Sequence, residues 1–299
     1  MGTSKVSSLV LHSLTEAIAQ FSADNIDDFF KQFCKLVYII THTEPKFGIL
    51  NYQFQHLMQE IKKEVNKSKN QKNWKKIVLD TINIFHKEAK QERKQLLKSS
   101  EEIKVNKKTI LIHDHSNTVL NVLKHLKRKK QEFHIIISEQ DYEKTHDNIE
   151  QLHEEGISFE VVPSYMLSVM HDKIDMVFFG GLTLKDDMNF VMDPGTYGII
   201  SEFHSINIPV YMFMNTAKFS LWKSAPRGEI FTQTHKRKHV SKDITYNRIK
   251  CSHDRVPSYF FHKIITNEGV LSNEQLKTLF LVKLEDYGHL HTEECKKHI

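Results

Sequence analysis

The first third of the chain repeats apolar residues at the three- and four-residue spacing of amphipathic helices. Ser22 or Asp24 could cap the second helix, and Pro45 and Gly48 interrupt the pattern before the third. We therefore predict an N-terminal helical domain over residues 1–105, in which nothing points to catalysis. The helical stretches are LVLHSLTEAIAQF, SADNIDDFFKQFCKLVYII, NYQFQHLMQEIKKEV and NWKKIVLDTINIFHKEAKQERKQLLKSSEEI.

From residue 106 the pattern changes to short, continuously apolar runs that alternate with amphipathic segments of about ten residues. The runs are KKTILIHDHS, EFHIIISEQ, ISFEVVP, IDMVFFGG and IPVYMFMN. Strands of this kind, joined by helices, predict right-handed crossovers and a parallel sheet. The predicted fold is α/β, with the helical domain followed by a Rossmann-like, doubly wound, mostly parallel sheet over residues 106–285. Residues 286–299 are predicted to form a polar C-terminal tail.

Ligands of such sheets bind beyond the carboxyl ends of the strands. In this chain those ends are expected at residues 113–116, 138–140, 180–182 and 215–218. Neither a G-x-G-x-x-G fingerprint nor a P-loop follows the first strand. We therefore expect no nucleotide cofactor, and no other cofactor is predicted.

The net charge of the chain bears on whether a nucleic acid is among its partners. The 299 residues include 42 lysine and arginine against 37 aspartate and glutamate residues. This net charge of +5 is judged too small and too dispersed to require a polyanion, so direct nucleic-acid binding is not expected. The basic run THKRKH, residues 234–239, is interpreted as a solvated loop rather than as a nucleic-acid or nuclear-import patch.

Cysteine and histidine usage gives no metal site. Cys34, Cys251 and Cys295 show no paired spacing, which favours a reducing compartment over disulfides or zinc, and the 19 histidines are scattered. No signal peptide and no apolar run of membrane-spanning length are seen. We expect a soluble, cytoplasmic protein that makes no membrane contact.

Four stretches, in order, resemble a known family. They are TILIHDHSNTVLNVL, HIIISEQ, the segment from GGLTLKDDMNFVMDPGT to IPVYMFMNTAKF, and DRVPSYFFHKIITNEGVLS. Together they cover residues 109–272 and resemble the alpha, beta and delta regulatory subunits of eukaryotic translation initiation factor 2B. The same landmarks occur in methylthioribose-1-phosphate and ribose-1,5-bisphosphate isomerases.

The resemblance implies which residues would carry isomerase chemistry. The isomerases place a cysteine after the first strand and an aspartate in a G-A-D turn, where proton transfer is needed. Here these positions are Asp114 and Leu182. Because leucine cannot exchange a proton and Asp114 lacks the thiol, no isomerase activity is expected. The alternative is that a displaced carboxylate substitutes, from among Asp114, Asp186, Asp187 and Asp193. The acidic run is otherwise interpreted as a solvated turn.

The resemblance also implies a degenerate phosphate or sugar pocket. The family's Asn-Lys-x-Gly-Thr corresponds to residues 192–196, where Gly195 and Thr196 keep an anion-binding backbone and hydroxyl. Asp193 replaces the cation, and two like charges about 4 Å apart would repel by roughly 4 kcal/mol. Lys218 matches the family's lysine or is a surface residue. The candidate pocket residues are His113, Asp114, Ser116, Glu139, Gly180, Gly181, Asp193, Gly195, Thr196 and Lys218.

These features predict a non-catalytic regulatory or assembly subunit, closest in size to the alpha subunit. Its expected partners are a second copy of itself, other initiation factor 2B subunits, initiation factor 2, and a possible small phosphorylated ligand. Two alternatives remain. The chain could sense a sugar phosphate or nucleoside monophosphate, or it could isomerise ribose-1-phosphate derivatives with rearranged acids.

Overall fold

The computed structural model describes residues 3–20, 25–42, 48–67, 73–113, 115–139, 142–221, 230–238 and 243–290. The four predicted N-terminal helices are confirmed as α1 (Thr3–Ala19), α2 (Ile26–His42), α3 (Gly48–Lys67) and α4 (Trp74–Ser100). The proposed caps Ser22 and Asp24 lie outside the described residues. Asn25 caps α2 instead, because its Oδ1 accepts a hydrogen bond from the Asp28 amide at 2.9 Å.

Aromatic side chains fill the space between these helices. Phe29 stacks on Phe33 with ring centroids 5.5 Å apart and contacts Trp74 at 5.1 Å. The amphipathic spacing is thus explained by one apolar core that α1 to α4 share. The far end of α4 belongs to a different core, since Leu96 packs with Ile110 and Ile112 of the sheet.

The rest of the described chain builds an α/β sheet. Its helices are α5 (Asn117–Arg128), α6 (Tyr142–Glu154), α7 (Thr196–Ser205) and α8 (Asn273–Leu290). A 3₁₀ segment spans Ser164–Lys173. The strands are β1 (Lys108–Ile112), β2 (Phe133–Glu139), β3 (Ser158–Pro163), β4 (Met176–Gly180), β5 (Thr183–Leu184), β6 (Asn189–Met192), β7 (Val210–Phe213), β8 (Ile230–Lys238), β9 (Asp243–Cys251), β10 (Asp254–Pro257), β11 (Lys263–Thr266) and β12 (Gly269–Leu271).

Seven strands form the main sheet in the order β12-β11-β7-β4-β1-β2-β3. All neighbouring pairs are parallel except β11 with β12. The predicted Rossmann-like sheet is therefore confirmed. The chain winds outward in one direction from β1 to β3 and in the other from β4 to β11, so the strand order reverses between β1 and β4. In such folds this reversal opens a crevice at the carboxyl edge.

A small antiparallel sheet, β10-β6-β5, follows β4 and had no counterpart among the predicted strands. Asp186 and Asp187 form the turn between β5 and β6 and are exposed, in agreement with the solvated-turn interpretation. Arg255 of β10 donates to the Asp187 carboxylate at 3.1 Å.

The strands β8 and β9 pair with each other in a two-stranded antiparallel ribbon. The interpretation of THKRKH as a loop is wrong for Thr234–Lys238, which lie within β8 and are in register with residues 243–247. His239 lies outside the described residues.

The helix α8 continues through residue 285, where a boundary was expected, and Tyr287 is only 2% exposed. Residues 291–299 of the expected tail lie outside the described part. Within the described residues, no helix is long and apolar enough to cross a membrane.

Candidate functional site

His113 lies directly after β1 and is buried. Its Nδ1 is 3.0 Å from the Ser138 hydroxyl, which is itself 3.1 Å from the Ser164 hydroxyl. Burial lowers the pKa of His113 from 6.5 to about 4, with Lys144 lowering it further and Asp193 opposing. The imidazole is therefore neutral near pH 7 and cannot act there as a cation for phosphate.

Gly180 ends β4 against the start of α5. A Cβ at this glycine would lie 2.0 Å from Ser116 Oγ and 2.7 Å from Ser116 Cβ. Ser116 is the N-cap of α5 and accepts a hydrogen bond from the Val119 amide at 3.4 Å. The glycine is thus required by close packing of the helix start on the strand end.

Lys218 is buried rather than a surface lysine, with 5% of its surface exposed. Its ammonium donates to the Gly181 carbonyl at 3.0 Å, and the Thr183 hydroxyl donates to the Lys218 carbonyl at 2.5 Å. The preceding Asn215 caps this turn through the Ala217 amide. The lysine that the family resemblance highlighted therefore holds together the turns after β4 and β7.

Asp193 pairs with a cation from a helix that lies far from it in sequence. Lys144 of α6 donates to Asp193 Oδ2 at 2.5 Å, and both side chains are half-buried. The expected repulsion of a phosphate assumed an uncompensated carboxylate, and this assumption is wrong because the pair is close to neutral.

Two amides at the start of α7, where an anion was expected to bind, already donate to a carboxylate of the chain. Asp254 Oδ2 accepts hydrogen bonds from the amides of Gly195, at 2.9 Å, and Tyr197, at 2.8 Å. Gly195 has φ of +94°, which favours glycine and directs its amide to the carboxylate. Thr196 is buried, and its hydroxyl has no hydrogen-bond partner among the described residues.

The remaining described candidates, Glu139 and Leu182, form hydrogen bonds through their backbone groups. Glu139 ends β2 with an exposed side chain, and its carbonyl accepts a hydrogen bond from the Ser164 hydroxyl. Leu182 is half-buried, and its amide donates to Val191 at 2.9 Å. Asp114 lies outside the described residues. The described candidates do lie along one edge of the sheet, but their polar groups largely bond to other parts of the chain.

A separate cavity of about 400 Å³ lies between the helical layer and this edge. Asn215 connects its two sides, since its Nδ2 donates to Glu92 of α4 at 3.0 Å. Burial raises the pKa of Glu92, with further raising by Glu268 and Glu88, while Asn215 and Lys283 oppose. Its lining includes Ser7, Gln53, His86, Glu92, Arg93, Asn117, Thr118, Asn121 and Asn215.

This cavity was missed because its walls come from four separate helices and a loop, and no local motif marks it. Within the part of the chain that the structure describes, no group of three or more His, Cys, Asp or Glu residues is placed to hold a metal ion.

The protein thus consists of a helical layer packed on a Rossmann-like sheet. The polar groups at the ends of its strands form hydrogen bonds mostly with other residues of the chain. The sequence profile of the initiation factor 2 subunit family, IF-2B, matches residues 1–273. The chain belongs to this family, as the resemblance indicated, and is an initiation factor 2B-like chain.

Individual relatives agree with this assignment. A Pyrococcus horikoshii protein described as translation initiation factor eIF-2B subunit 2-like is 26% identical over 167 residues. The match covers 54% of this chain and 57% of the relative, so it spans little more than half of that protein.

Two solved structures share the fold. The eIF-2B structure from P. horikoshii OT3 has a TM-score of 0.64 at 20% identity and covers 89% of this chain and 90% of that one. The tetrameric eIF2B-beta2-delta2 complex from C. thermophilum gives a TM-score of 0.70 at 16% identity, covering 94% and 89%.

Proposed function

We propose that this chain is a non-catalytic regulatory or assembly subunit of the initiation factor 2B type. It works in the cytoplasm, pairs with a second copy of itself, and associates with other initiation factor 2B subunits. In this assembly it supports or regulates guanine-nucleotide exchange on initiation factor 2. Within that assembly we propose an alpha-like role.

The internal bonding at the carboxyl edge carries this proposal. A working sugar-phosphate site needs a proton-transferring acid, which Leu182 cannot supply, and donors that are available to the phosphate. Lys218 donates to Gly181, and the amides at the start of α7 donate to Asp254. A fold that keeps its architecture while these groups stabilise the chain itself is suited to assembly.

Family membership supports the partner assignment. The C. thermophilum structure is described as a complex of beta and delta subunits, so a chain of this fold can enter such an assembly. Affinity purification of the tagged chain from its native cells, followed by mass spectrometry, tests the proposal. We expect beta and delta subunits in comparable amounts, against a tag-only control. Recovery of no initiation-factor subunit would contradict it.

An activity assay tests the non-catalytic part. Purified protein is incubated with ribose-1,5-bisphosphate or methylthioribose-1-phosphate, and we expect no conversion to the ketose. Turnover that disappears in Asp114→Asn would show instead that a displaced carboxylate performs the isomerisation.

The cavity of about 400 Å³ favours a second candidate function, the sensing of a sugar phosphate or nucleoside monophosphate. Its volume suits a small metabolite, and Arg93 and several amide side chains could contact one. In a thermal-shift assay, a ligand at a hundred times its dissociation constant should stabilise the protein by about 2.7 kcal/mol. Arg93→Gln should reduce that shift, and no shift with any ligand of either class leaves only the assembly role.

A further inference from the structure

One side of the main sheet carries several exposed aromatic and aliphatic side chains. On the 3₁₀ segment, Tyr165 is 85% exposed, Val169 70% and Met166 41%. On the same side of the sheet, Tyr197 of α7 is 41% exposed and Tyr259 63%. Large apolar side chains that are exposed together on a folded protein indicate a contact surface.

The helix α7 connects the two ends of this surface. At one end, Glu202 of α7 lies 2.6 Å from Nε2 of His171 in the 3₁₀ segment. At the other end, Phe260 contacts both Tyr197 and Tyr259, with ring centroids 5.6 Å and 4.8 Å apart. We call the surface formed by the 3₁₀ segment, α7 and the turn that contains Tyr259 and Phe260 the tyrosine face.

The exposed apolar area of the tyrosine face is comparable with what a stable dimer needs. A tyrosine side chain contributes about 150–250 Å² when it is buried, so the exposed fractions of Tyr165, Tyr197 and Tyr259 leave roughly 300–450 Å² in water. Met166 and Val169 add to this area. A standard interface buries about 800 Å² on each partner, so these side chains alone would supply about half of it.

The composition of the tyrosine face is typical of the centre of a protein–protein interface. Residues 164–170, SYMLSVM, contain no charged residue. Tyrosine and methionine are enriched in such interfaces, whereas lysine and glutamate are depleted. Two carboxylates near its border already have basic neighbours in the same chain, since Asp187 lies 3.1 Å from Arg255 and Glu202 lies beside His171.

We propose that the tyrosine face is the surface through which the chain pairs with a second copy of itself. This inference rests on the self-association in the proposed function and assigns it to particular residues. A two-fold contact brings the same patch of both subunits together. An uncharged, aromatic patch suits such a contact, because two copies can meet without repulsion between like charges, whereas a nucleic acid would require rows of cations.

A matched pair of variants tests the tyrosine face in the full-length chain. The face variant combines Tyr165→Glu and Val169→Glu. The control variant combines Tyr142→Glu and Ile84→Glu, which add the same charge at exposed apolar side chains of α6 and α4. The helix α6 lies on the opposite side of the sheet, because it packs in the core that contains α5, whereas the 3₁₀ segment packs in the core that contains α7.

Self-association is measured by sedimentation equilibrium over a concentration series. We expect wild type and the control variant to form dimers with similar dissociation constants. The dissociation constant of the face variant should rise about a hundredfold or more, because aromatic anchors dominate interface energies and the added carboxylates would be placed in the contact. Circular dichroism confirms that each variant is folded.

Photo-cross-linking locates the contact without changing its charge. Benzoylphenylalanine replaces Tyr165 in one protein and the similarly exposed Tyr142 in another. We expect a covalent product of twice the monomer mass from the protein with the cross-linker at position 165 and none from the other.

A face variant that dimerises like wild type would overturn the inference and leave the proposed self-association intact. Loss of the dimer in both variants would also overturn it, because the effect would not be specific to the tyrosine face. A wild-type monomer would contradict the self-association and the inference together. A cross-link from position 165 that forms only after beta or delta subunits are added would overturn the inference by assigning the face to those subunits.

Discussion

Single residues in and around the candidate site bond to distant parts of the chain. Asp193 is 49 residues from its partner Lys144, and Asp254 is 57 and 59 residues from the amides that it caps. Lys218 donates to a carbonyl 37 residues away. Because each bond joins separate elements, we expect substitutions here to lower stability more than ligand affinity.

Asp254→Ala tests this at the start of α7. Alanine removes the acceptor of both helix amides, so the free energy of unfolding should fall by about 1–2 kcal/mol in urea denaturation. Asp187→Ala removes a carboxylate from a more exposed ion pair with Arg255, and it should cost less than about 1 kcal/mol. Equal losses would contradict the capping role of Asp254.

Gly180→Ala tests the close packing of α5 on β4. The new Cβ would overlap Ser116 Oγ and Cβ, so the strand end or the helix must shift, at a cost of about 1–3 kcal/mol. Gly198→Ala is the matched control, since nothing lies within 4 Å of its added Cβ in α7 and alanine favours a helix by about 1 kcal/mol. A Gly180→Ala protein as stable as wild type would refute the packing argument.

The location of the candidate residues could be predicted from sequence, because strand ends follow from the apolar runs and ligands bind beyond them. The hydrogen bonds and ion pairs of these residues could not be predicted. No local pattern shows that Lys144 reaches Asp193, or that Asp254 fills the start of α7, since both depend on how the elements pack in three dimensions.

Among the elements, α4 joins the two layers. Trp74, Val78 and Phe85 at its start pack in the helical core, and Leu96 near its end packs in the sheet core. Between them, Glu92 faces the cavity and accepts a hydrogen bond from Asn215 after β7.

Glu92→Gln tests whether burial of the Glu92 carboxylate beside the cavity lowers the stability of the folded chain in a pH-dependent way. The pKa of Glu92 is raised above its ordinary value of 4.5, so the folded chain holds the proton more tightly than the unfolded chain. The stabilisation of the folded chain that comes from Glu92 is therefore fully present below pH 4.5. It is lost as the pH rises through the raised pKa of Glu92 in the folded chain.

Glutamine keeps an acceptor for Asn215 and has no charge to bury. Chemical denaturation at a series of pH values from 4 to 8 should show the variant gaining stability relative to wild type as the pH rises. Glu102→Gln, an exposed position beyond the end of α4, is the control for a general charge effect. A difference independent of pH would contradict the explanation.

Strand prediction depended on length and burial. The strands β1, β2 and β4 each contain three or more consecutive buried apolar residues, and β7 is largely buried, so their runs are distinct in the sequence. In contrast, β5, β6 and β10 have only two to four residues and are flanked by acids. The ribbon was missed because the basic run THKRKH has no apolar pattern and was interpreted as a solvated loop.

For the whole molecule, we expect a homodimer. Sedimentation equilibrium of the purified chain near 10 µM should give twice the monomer mass of 35.2 kDa. Addition of beta and delta subunits should shift the chain into a larger species if it joins an initiation factor 2B assembly. A monomer mass at that concentration would contradict self-association and leave only the pairing with other subunits.

The length of α4 also affects how the protein is made. Its 27 residues leave the ribosome before any strand of the sheet exists, yet α4 packs on β11 and β12 as well as on α5, and Leu96 shares a core with Ile265 of β11. The last turns of α4 therefore keep part of their apolar surface exposed until about residue 271 has been synthesised. During that interval the nascent chain offers a binding site to chaperones, and a pause in translation there would prolong the exposure.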